Sequence, residues 1–249
     1  MADTFKDHFS TRSADYARFR PVYPPALARY LAEVPGRRDL ALDCGCGAGQ
    51  LSTLLADGFA RVIATDASAQ QVANAKPHPR VEYRQAPAEA SGLDDASVDL
   101  VTVAQAAHWF DLERFYAEVR RVARPGGAIA LVTYGITEID GAAGGVLSGF
   151  YHDVLDPHWP PERRLVEAGY RTLPFPFDEQ AASPFAMEAS WALADMLGYV
   201  DTWSAVRNAE KALGRAPYDR FADDLRAAWG DPDTRKAIRW PISLRVGRV

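Results

Sequence analysis

The chain has 249 residues, a formal net charge of −5 and a hydrophobic fraction of 48%. This length and composition are those of a globular protein with a sizeable buried core. The acidic balance argues against a nucleic acid as the main partner, because proteins that bind nucleic acids usually carry a basic surface. No apolar run approaches the about 20 residues needed to cross a bilayer, and the amino-terminal segment is polar and charged rather than a signal sequence. We therefore expect a cytoplasmic protein with no membrane partner.

The first predicted element is a helix that starts at Pro24 and Pro25 and ends at Gly36. Apolar runs then predict five strands, at about residues 40–43, 61–65, 81–84, 97–104 and 128–134. Ser68 and Asp111 are predicted helix N-caps, since their side-chain oxygens can accept hydrogen bonds from the free amides of a first helical turn. Strands that alternate with helices predict an α/β protein with a Rossmann-like, doubly wound sheet, which binds its ligand at the carboxyl ends of the strands.

The periodicity is weaker after residue 135. Alternating apolar residues predict a strand near 185–191, helical stretches follow near 192–213 and 217–229, and the segment 238–249 is predicted to be a last strand. No internal repeat or low-complexity linker divides the chain. We therefore expect one domain with a cap.

The most informative stretch runs from residue 40 to residue 66, where an apolar strand meets the glycine cluster CGCGAGQ. Gly45 and Gly47 are expected at a sharp turn with positive φ, where any side chain would occupy the space of a ligand. Gly49 is expected to open the following helix. Asp66 lies 17 residues after Gly49, at the end of the second strand, where a carboxylate can accept hydrogen bonds from two ribose hydroxyls. This pattern indicates a cofactor that contains adenosine.

Two departures from the dinucleotide fingerprint G-x-G-x-x-G decide which adenosine cofactor is favoured. Gln50 stands where the third glycine would fall. Asp43 places a negative charge just before the loop, where it would repel a pyrophosphate at the helix N-terminus. A nicotinamide oxidoreductase is therefore disfavoured. S-adenosylmethionine carries a sulfonium and an ammonium group beside its adenosine, so an acidic residue at this position suits it.

These residues carry a family resemblance. The runs LALDCGCGAGQLSTLLA, VIATDAS, APAEASGLDDASVDLVTVAQAAHWFD and RVARPGGAIALVTYG resemble the type 11 core of the class I S-adenosylmethionine-dependent methyltransferases, over about residues 38–135. Outside this core, four short segments resemble the trans-aconitate methyltransferase-like branch, at residues 16–24, 108–111, 202–204 and 246–249. With these segments the likeness extends across most of the chain.

The resemblance implies a seven-stranded, mostly parallel sheet whose last strand is antiparallel, with a helical lid. It implies three regions within one domain. Residues 1–36 would form an N-terminal helical flap and residues 37–135 the S-adenosylmethionine-binding core. Residues 136–249 would hold the lid helices and the last two strands.

The predicted cofactor-binding residues are Tyr16, Asp43, Gly45, Gly47, Gly49, Asp66, Ala67, Ala88, Glu89 and Gln105. Glu89 falls at the end of the third strand, where members of the resembled family contact the adenine through a backbone amide and an acidic side chain. Many members have Asp where this chain has Pro87, so Glu89 is alternatively a solvated loop acid. Gln105 ends the fourth strand and is expected to face the cofactor or the transferred methyl group. The alternative for Gln105 is a hydrogen-bonded loop residue.

The predicted catalytic residues are Arg20, Tyr23, His108, Trp109 and Trp203. His108 can orient a substrate carboxylate or act as general base for a hydroxyl. Trp109 can line the pocket or face the sulfonium cation, and Trp203 on the lid helices can do the same. The alternative for these three residues is a packing role. Tyr16, Arg20 and Tyr23 are assigned to the flap, where Arg20 would bind a substrate carboxylate or pair with a core acid.

No metal is expected. Cys44 and Cys46 lie in the glycine loop without a second pair of ligands, so we interpret them as small loop residues. His152 and His158 have aspartates nearby but lack further ligands. A surface loop is the favoured interpretation of that segment.

The predicted function is methylation of a small molecule. We favour a carboxylic acid, whose oxygen would attack the sulfonium methyl in a direct in-line transfer and leave S-adenosylhomocysteine. A carboxylate needs no general base at neutral pH, whereas a hydroxyl or amine acceptor would make His108 the leading base. A noncatalytic S-adenosylmethionine-binding protein is the alternative from a different class. A nucleic-acid methyltransferase of the amino-group type is disfavoured, because Gln105-Ala-Ala-His-Trp109 replaces the Asn/Asp-Pro-Pro-Tyr/Phe element expected there.

Overall fold

The computed structural model describes residues 21–249. Tyr16, Arg20 and most of the predicted flap at residues 1–36 therefore lie outside the described residues. The helices are α1 Pro25–Glu33, α2 Gln50–Leu55, α3 Ala69–Ala73, α4 Leu112–Val122, α5 Ala142–Gly149, α6 Arg163–Glu167, α7 Leu193–Asp201, α8 Ser204–Leu213 and α9 Ala216–Trp229. Short 3₁₀ turns span Ala107–Trp109 and Asp156–His158, and a π-helix spans Phe150–Val154.

The strands form one sheet. They are β1 Leu40–Cys44, β2 Arg61–Asp66, β3 Val81–Gln85, β4 Val98–Ala104, β5 Ala123–Tyr134, β6 Glu138–Ile139, β7 Asp178–Gln180, β8 Phe185–Trp191 and β9 Lys236–Arg248. The first five strands run parallel in the order β3-β2-β1-β4-β5. The last strand, β9, pairs antiparallel with β5 and also with β6, β7 and β8.

The nine strand segments occupy seven positions in the sheet. Residues 242–248 of β9 pair with β5 and residues 238–239 pair with β6, so β6 continues β5 along one edge of β9. The other edge of β9 pairs with β8 at residues 236–242 and with β7 at residues 246–248. The predicted fold class, a mostly parallel doubly wound sheet with an antiparallel last strand, is therefore confirmed.

Two predicted elements differ from the observed ones. The single helical stretch predicted at 192–213 is divided into α7 and α8, and the hydroxyl of Thr202 donates to the carbonyl of Tyr199 at 2.6 Å where α7 ends. A side chain that bonds a nearby carbonyl competes with the helical ladder. The strand predicted at about residues 128–134 starts earlier: β5 begins at Ala123 opposite Val98 and shifts register before Ala128 pairs with Leu100.

Buried side chains form a core on each face of the sheet. Ala41 and Leu100 belong to the cluster that also contains apolar residues of α1 and α2, whereas the adjacent Leu42 and Val101 belong to the cluster under α4. Successive strand residues point to opposite faces, so the continuous apolar runs in the sequence fill both cores. This arrangement fixes the carboxyl ends of β1 to β5 along one edge.

The observed helix starts agree with the predicted caps. The hydroxyl of Ser68 accepts from the amide of Gln71 at 3.4 Å, and the carboxylate of Asp111 accepts from the amide of Arg114 at 3.2 Å. No helix between residues 21 and 249 has the length and apolar character needed to span a bilayer. Within the same residues, no group of three or more His, Cys, Asp or Glu side chains is arranged to hold a metal ion.

Candidate active site

Three glycines shape the loop between β1 and α2. Gly45, Gly47 and Gly49 have φ values of 65°, 53° and 81°, in the left-handed region that glycine adopts without strain. A Cβ at Gly45 would lie 2.6 Å from the Cβ of Ala106, and one at Gly49 would collide with the ring of Tyr83. A Cβ at Gly47 would have no atom closer than 4.0 Å. The expectation of open ligand space therefore fits Gly47, whereas protein atoms fill the space beside Gly45.

Asp66 at the end of β2 holds this loop in place. One carboxylate oxygen accepts from the amide of Gly47 at 2.9 Å and the other accepts from the amide of Ser68 at 2.9 Å. The amide of Cys46 donates to the carbonyl of Thr65 at 3.0 Å. Each carboxylate oxygen can accept more than one hydrogen bond, and Asp66 is only half-buried. Asp66 therefore keeps acceptor capacity at the edge where a ribose is predicted.

Asp43 lies inside the sheet rather than in the open loop. Its side chain is buried, and its two oxygens accept from the hydroxyls of Ser52 at 2.6 Å and Thr102 at 2.9 Å. Burial raises the pKa of the Asp43 carboxyl to about 6. Asp43 thus ties β1 to α2 and β4, and any attraction for a cation acts from a buried carboxylate that already accepts two hydrogen bonds.

The segments after β2 and β3 are joined to their neighbours. Glu89 accepts from the amide of Asp111 at 2.9 Å, which connects the end of β3 to the start of α4. The carbonyl of Ala67 accepts from the side-chain amide of Gln85 at 3.2 Å, and Ala88 is buried. These contacts place Ala67, Ala88 and Glu89 along the same edge as Asp66.

Gln105 follows β4 with a left-handed backbone, at a φ of 57°. Its side-chain oxygen accepts from the hydroxyl of Thr133 at 2.6 Å, and its nitrogen donates to the carbonyl of Tyr134 at 3.4 Å. A left-handed conformation costs a non-glycine residue about 1–2 kcal/mol, and such strain concentrates at functional sites. Gln105 thus lies at the end of β4, and hydrogen bonds join its side chain to β5.

His108 is held by a buried tyrosine. Its Nδ1 lies 2.6 Å from the hydroxyl of Tyr170, which also has a left-handed φ of 60°. Burial lowers the pKa of His108 to about 4, and the positive charge of Arg163 adds to this effect. Trp109 follows with its ring centroid 4.8 Å from that of His108, and it is 37% exposed. The imidazole is therefore neutral at pH 7 and fixed in orientation.

Comparison with known proteins identifies the family. Residues 42–131 match the methyltransferase domain family. A protein of Dictyostelium discoideum named as a methyltransferase is 34% identical over 233 residues, which cover 92% of this chain and 89% of that protein. The chain belongs to the class I S-adenosylmethionine-dependent methyltransferases.

Two further comparisons relate this methyltransferase to others. A solved structure from Anaeromyxobacter dehalogenans, named as a type II methyltransferase, has a TM-score of 0.88 and 52% identity and covers 92% of this chain and 97% of its own. The malonyl-[acyl-carrier protein] O-methyltransferase of Enterobacter lignolyticus is 40% identical over 128 residues. That match covers 50% of this chain and 51% of the relative, so it is confined to about half of each protein.

The glycine loop of this methyltransferase has one open position, next to the carboxylate that is predicted to bind a ribose. The space beside Gly47 is open, while the same position on Gly45 and Gly49 is closed by protein. Asp66 stands next to that space and already fixes the amide of Gly47. The open space at Gly47 and the acceptor capacity of Asp66 fit the ribose of S-adenosylmethionine, the cofactor of this family.

Tyr23 lies at the described start of the flap region. It is buried, and its ring centroid lies 6.4 Å from that of Tyr134 at the end of β5. The side-chain amide of Gln50 donates to the carbonyl of Pro21 at 2.9 Å. The segment before α1 is therefore attached both to the glycine-loop helix and to the β5 end of the site.

Trp203 belongs to an aromatic cluster in the region that is predicted to form the lid. We call Tyr151, Trp159, Tyr199 and Trp203 the lid cluster, in which the ring of Trp203 lies 5.7, 5.6 and 5.5 Å from those of Tyr151, Trp159 and Tyr199. Trp203 is only 6% exposed and precedes α8. These three ring contacts and its burial support a packing role for Trp203.

Sequence reasoning missed the residues that connect His108 to the lid. Tyr170 reaches His108 from 62 positions away, and Gly169 before it has a φ of 60°. A Cβ on Gly169 would lie 2.5 Å from the hydroxyl of Ser243 in β9, so only glycine fits this turn. Arg163 acts on His108 from α6 through its charge. The one local signal was the glycine before Tyr170, which marks a turn without indicating its partner.

Proposed function

We propose that this methyltransferase transfers a methyl group to a carboxylate oxygen of a small-molecule acid. The observation that carries the proposal is the state of His108. Its Nδ1 is engaged with Tyr170 at 2.6 Å, and its pKa is lowered to about 4. A general base works best when its pKa lies near the operating pH, so His108 is a poor base at neutral pH. A carboxylate acceptor is already ionised and needs none.

His108 has an orienting role in this proposal. The Tyr170 hydroxyl is protonated, because burial raises the pKa of that phenol. When this hydroxyl donates to Nδ1, Nε2 carries the ring proton and can donate to an oxygen of the acceptor. Trp109, partly exposed beside His108, would line the acceptor side.

In this proposal, residues of the glycine loop and of the neighbouring strand ends bind the cofactor. Asp66 would accept from the ribose hydroxyls, Gly47 would allow close approach of the ligand, and Glu89 would lie toward the adenine, with Ala67, Ala88 and Gln105 along the same edge. Bound S-adenosylmethionine supplies an electrophilic methyl group that needs alignment and exclusion of water rather than a covalent intermediate on the protein. Alignment alone can supply effective molarities on the order of 10⁵–10⁸ M in favourable cases.

Two further features support the proposal. The relative named as a malonyl-[acyl-carrier protein] O-methyltransferase has a named acceptor that contains a carboxylate, and it matches this chain over 128 residues, about half of each protein. The segments at 16–24, 108–111, 202–204 and 246–249 favour the trans-aconitate methyltransferase-like branch. Residues 1–36 would then act as a flap, with Tyr16 and Arg20 contributing from it; those two roles rest on the sequence.

Transfer of a labelled methyl group from S-adenosylmethionine to a panel of mono-, di- and tricarboxylic acids tests the proposal. We expect at least one acid to be methylated and its product to be an ester, which mild alkali hydrolyses. Transfer only to hydroxyl or amine compounds would instead make His108 the base, and the rate would then fall on acidification through its pKa. Saturable binding of S-adenosylhomocysteine without transfer to any acceptor would favour the noncatalytic binding protein.

A further inference from the structure

Arg163 in α6 is held against aromatic side chains. Its guanidinium carbon lies 4.8 Å from the ring centroid of Trp159 and 5.5 Å from that of Tyr151. Its Nε donates to the hydroxyl of Tyr151 at 2.7 Å. Its side chain is 21% exposed. These contacts fix the plane of the guanidinium against two aromatic faces.

The nearby carboxylate of Glu167 does not form a close ion pair with the guanidinium of Arg163. Glu167 accepts from the Tyr151 hydroxyl at 2.5 Å, while its distance to Arg163 Nε is 3.9 Å. Glu167 therefore reaches Arg163 mainly through Tyr151. Between residues 21 and 249, no acceptor lies within hydrogen-bond distance of the two terminal nitrogens of Arg163. Those nitrogens form the edge that binds carboxylates in bidentate pairs.

A second donor in the same cluster lacks an acceptor. The indole nitrogen of Trp159 is buried and has no hydrogen-bond partner in the described part of the chain. A buried donor without a partner is costly, and buried polar groups are nearly always satisfied. An oxygen supplied by a ligand would satisfy it.

The backbone that carries Tyr151, which contacts Arg163, is an irregular helix. Tyr151 lies in the π-helix Phe150–Val154, a rare conformation that is frequently found at functional sites. The positive charge of Arg163 also lowers the pKa of the His108 imidazole and of the Tyr170 phenol. The charge of Arg163 therefore acts on the same imidazole that Tyr170 fixes in orientation at 2.6 Å.

We infer that Arg163, with the indole N–H of Trp159, recognises a carboxylate of the acceptor and thereby selects anionic substrates. This inference rests on the proposed function, and it names the residue that distinguishes an acid from a neutral molecule. The carboxylate can be the reacting group itself or a second acid group on the same molecule. Arg163 is in this sense a specificity residue, separate from the residues that hold the cofactor.

The test measures binding rather than turnover. Acetate, succinate and citrate are titrated into the protein saturated with S-adenosylhomocysteine, at constant ionic strength, and tryptophan fluorescence reports the lid cluster. We expect Arg163→Met to weaken binding about 10–100-fold, as for the loss of one charge-assisted contact, with Arg163→Lys intermediate because it keeps the charge and loses the fork. Trp159→Phe, which keeps an aromatic ring and removes the donor, should weaken binding less than Arg163→Met does.

Arg164 provides the matched control. It is the next residue, is 73% exposed and pairs with Asp156 at 3.3 Å, so Arg164→Met removes the same charge from the neighbouring position. We expect it to bind the acids as the original protein does. Equal losses of affinity in the two methionine variants would overturn the inference, as would unchanged binding in Arg163→Met.

The three acids and a separate assay distinguish the remaining outcomes. A loss for succinate and citrate alone assigns Arg163 to a second acid group, and a loss for all three acids assigns it to the reacting carboxylate. No saturable binding of any acid to the original protein rejects the inference, whereas labelled-methyl transfer decides the proposed function independently. Melting curves of Arg163→Met, Arg163→Lys and Trp159→Phe establish that each variant is folded.

Discussion

The two sides of the candidate site are built by different interactions. At the proposed cofactor edge, the carboxylate of Asp66 accepts hydrogen bonds from the backbone amides of Gly47 and Ser68. On the proposed acceptor side, the lid cluster and Arg163 are held by ring contacts and by side-chain hydrogen bonds through Tyr151. The cofactor edge therefore depends on backbone geometry and the acceptor side on the identity of individual side chains.

This difference separates what a substitution should change. Loss of a backbone anchor at the cofactor edge should weaken cofactor binding with a moderate effect on folding. Loss of a buried ring in the lid should destabilise the fold because it opens a cavity, and it should leave the glycine loop intact. Substitutions on the two sides can thus be compared in the same pair of measurements, namely the free energy of unfolding and the affinity for S-adenosylhomocysteine.

The largest effect is expected for Trp203→Ala. Trp203 is 6% exposed, and replacing a buried tryptophan by alanine typically costs about 3–5 kcal/mol of stability. Urea unfolding should show this loss, while calorimetry with S-adenosylhomocysteine on the folded variant should show unchanged affinity. Trp109→Ala is the control, because Trp109 is 37% exposed and its loss should cost less than about 1 kcal/mol. A small loss at Trp203 with an altered KM for the acceptor would instead place its ring in the pocket.

The titrations of His108 and Asp43 change the stability of the protein in opposite directions. The pKa of His108 falls from 6.5 to about 4 on folding, so the unfolded chain binds the extra proton in that window and stability decreases as the pH falls. The pKa of Asp43 rises from 3.8 to about 6, so the folded chain keeps a proton that the unfolded chain releases, and stability decreases as the pH rises. Each contribution is on the order of 3 kcal/mol.

Single variants should reveal each titration. The two contributions oppose each other between pH 4 and 6. In His108→Gln only the Asp43 contribution remains, so the free energy of unfolding should decrease as the pH rises. Asp43→Asn should leave the opposite slope that His108 causes. Urea unfolding at several pH values measures both slopes relative to the original protein. Identical pH profiles for the two variants would contradict both assignments.

The third effect concerns cofactor affinity. Asp66→Ala removes the acceptor for the amide of Gly47 and the predicted acceptor for the ribose. Charge-assisted hydrogen bonds contribute about 1.5–3 kcal/mol each, so affinity for S-adenosylhomocysteine should fall about 10–100-fold. Asp57→Ala is the control, since Asp57 is 75% exposed and lies 3.7 Å from Arg80, away from the loop. Unchanged affinity in Asp66→Ala would remove Asp66 from the cofactor site.

Most of the cofactor side could be predicted from the sequence because its determinants are local. Parallel strands covered on both faces are continuous apolar runs, and the caps Ser68 and Asp111 lie directly before their helices. Gly47 and Asp66 are set by the strand ends that carry them. The buried position of the Asp43 side chain could not be predicted, because it depends on hydrogen bonds from the hydroxyls of Ser52 and Thr102.

The acceptor side could not be predicted because its contacts join distant segments. His108 meets Tyr170 across 62 positions, and the turn that aims Tyr170 depends on Ser243 in the last strand. Arg163 owes its orientation to Tyr151 in a π-helix, for which the sequence offers no periodic signal. Only the packed fold shows that these residues share one location.

The smallest effect compares two glycines with the same backbone strain. Gly47 and Gly92 have φ values of 53° and 71°, and a Cβ at either position would meet no atom closer than 4.0 Å. Alanine in this left-handed region costs about 1–2 kcal/mol, so Gly47→Ala and Gly92→Ala should lose similar stability in urea unfolding. Only the Cβ at Gly47 would project into the space assigned to the cofactor. Weaker binding of S-adenosylhomocysteine by Gly47→Ala alone would therefore locate the ligand beside the loop, because the matched strain at Gly92 accounts for any general loosening of the fold.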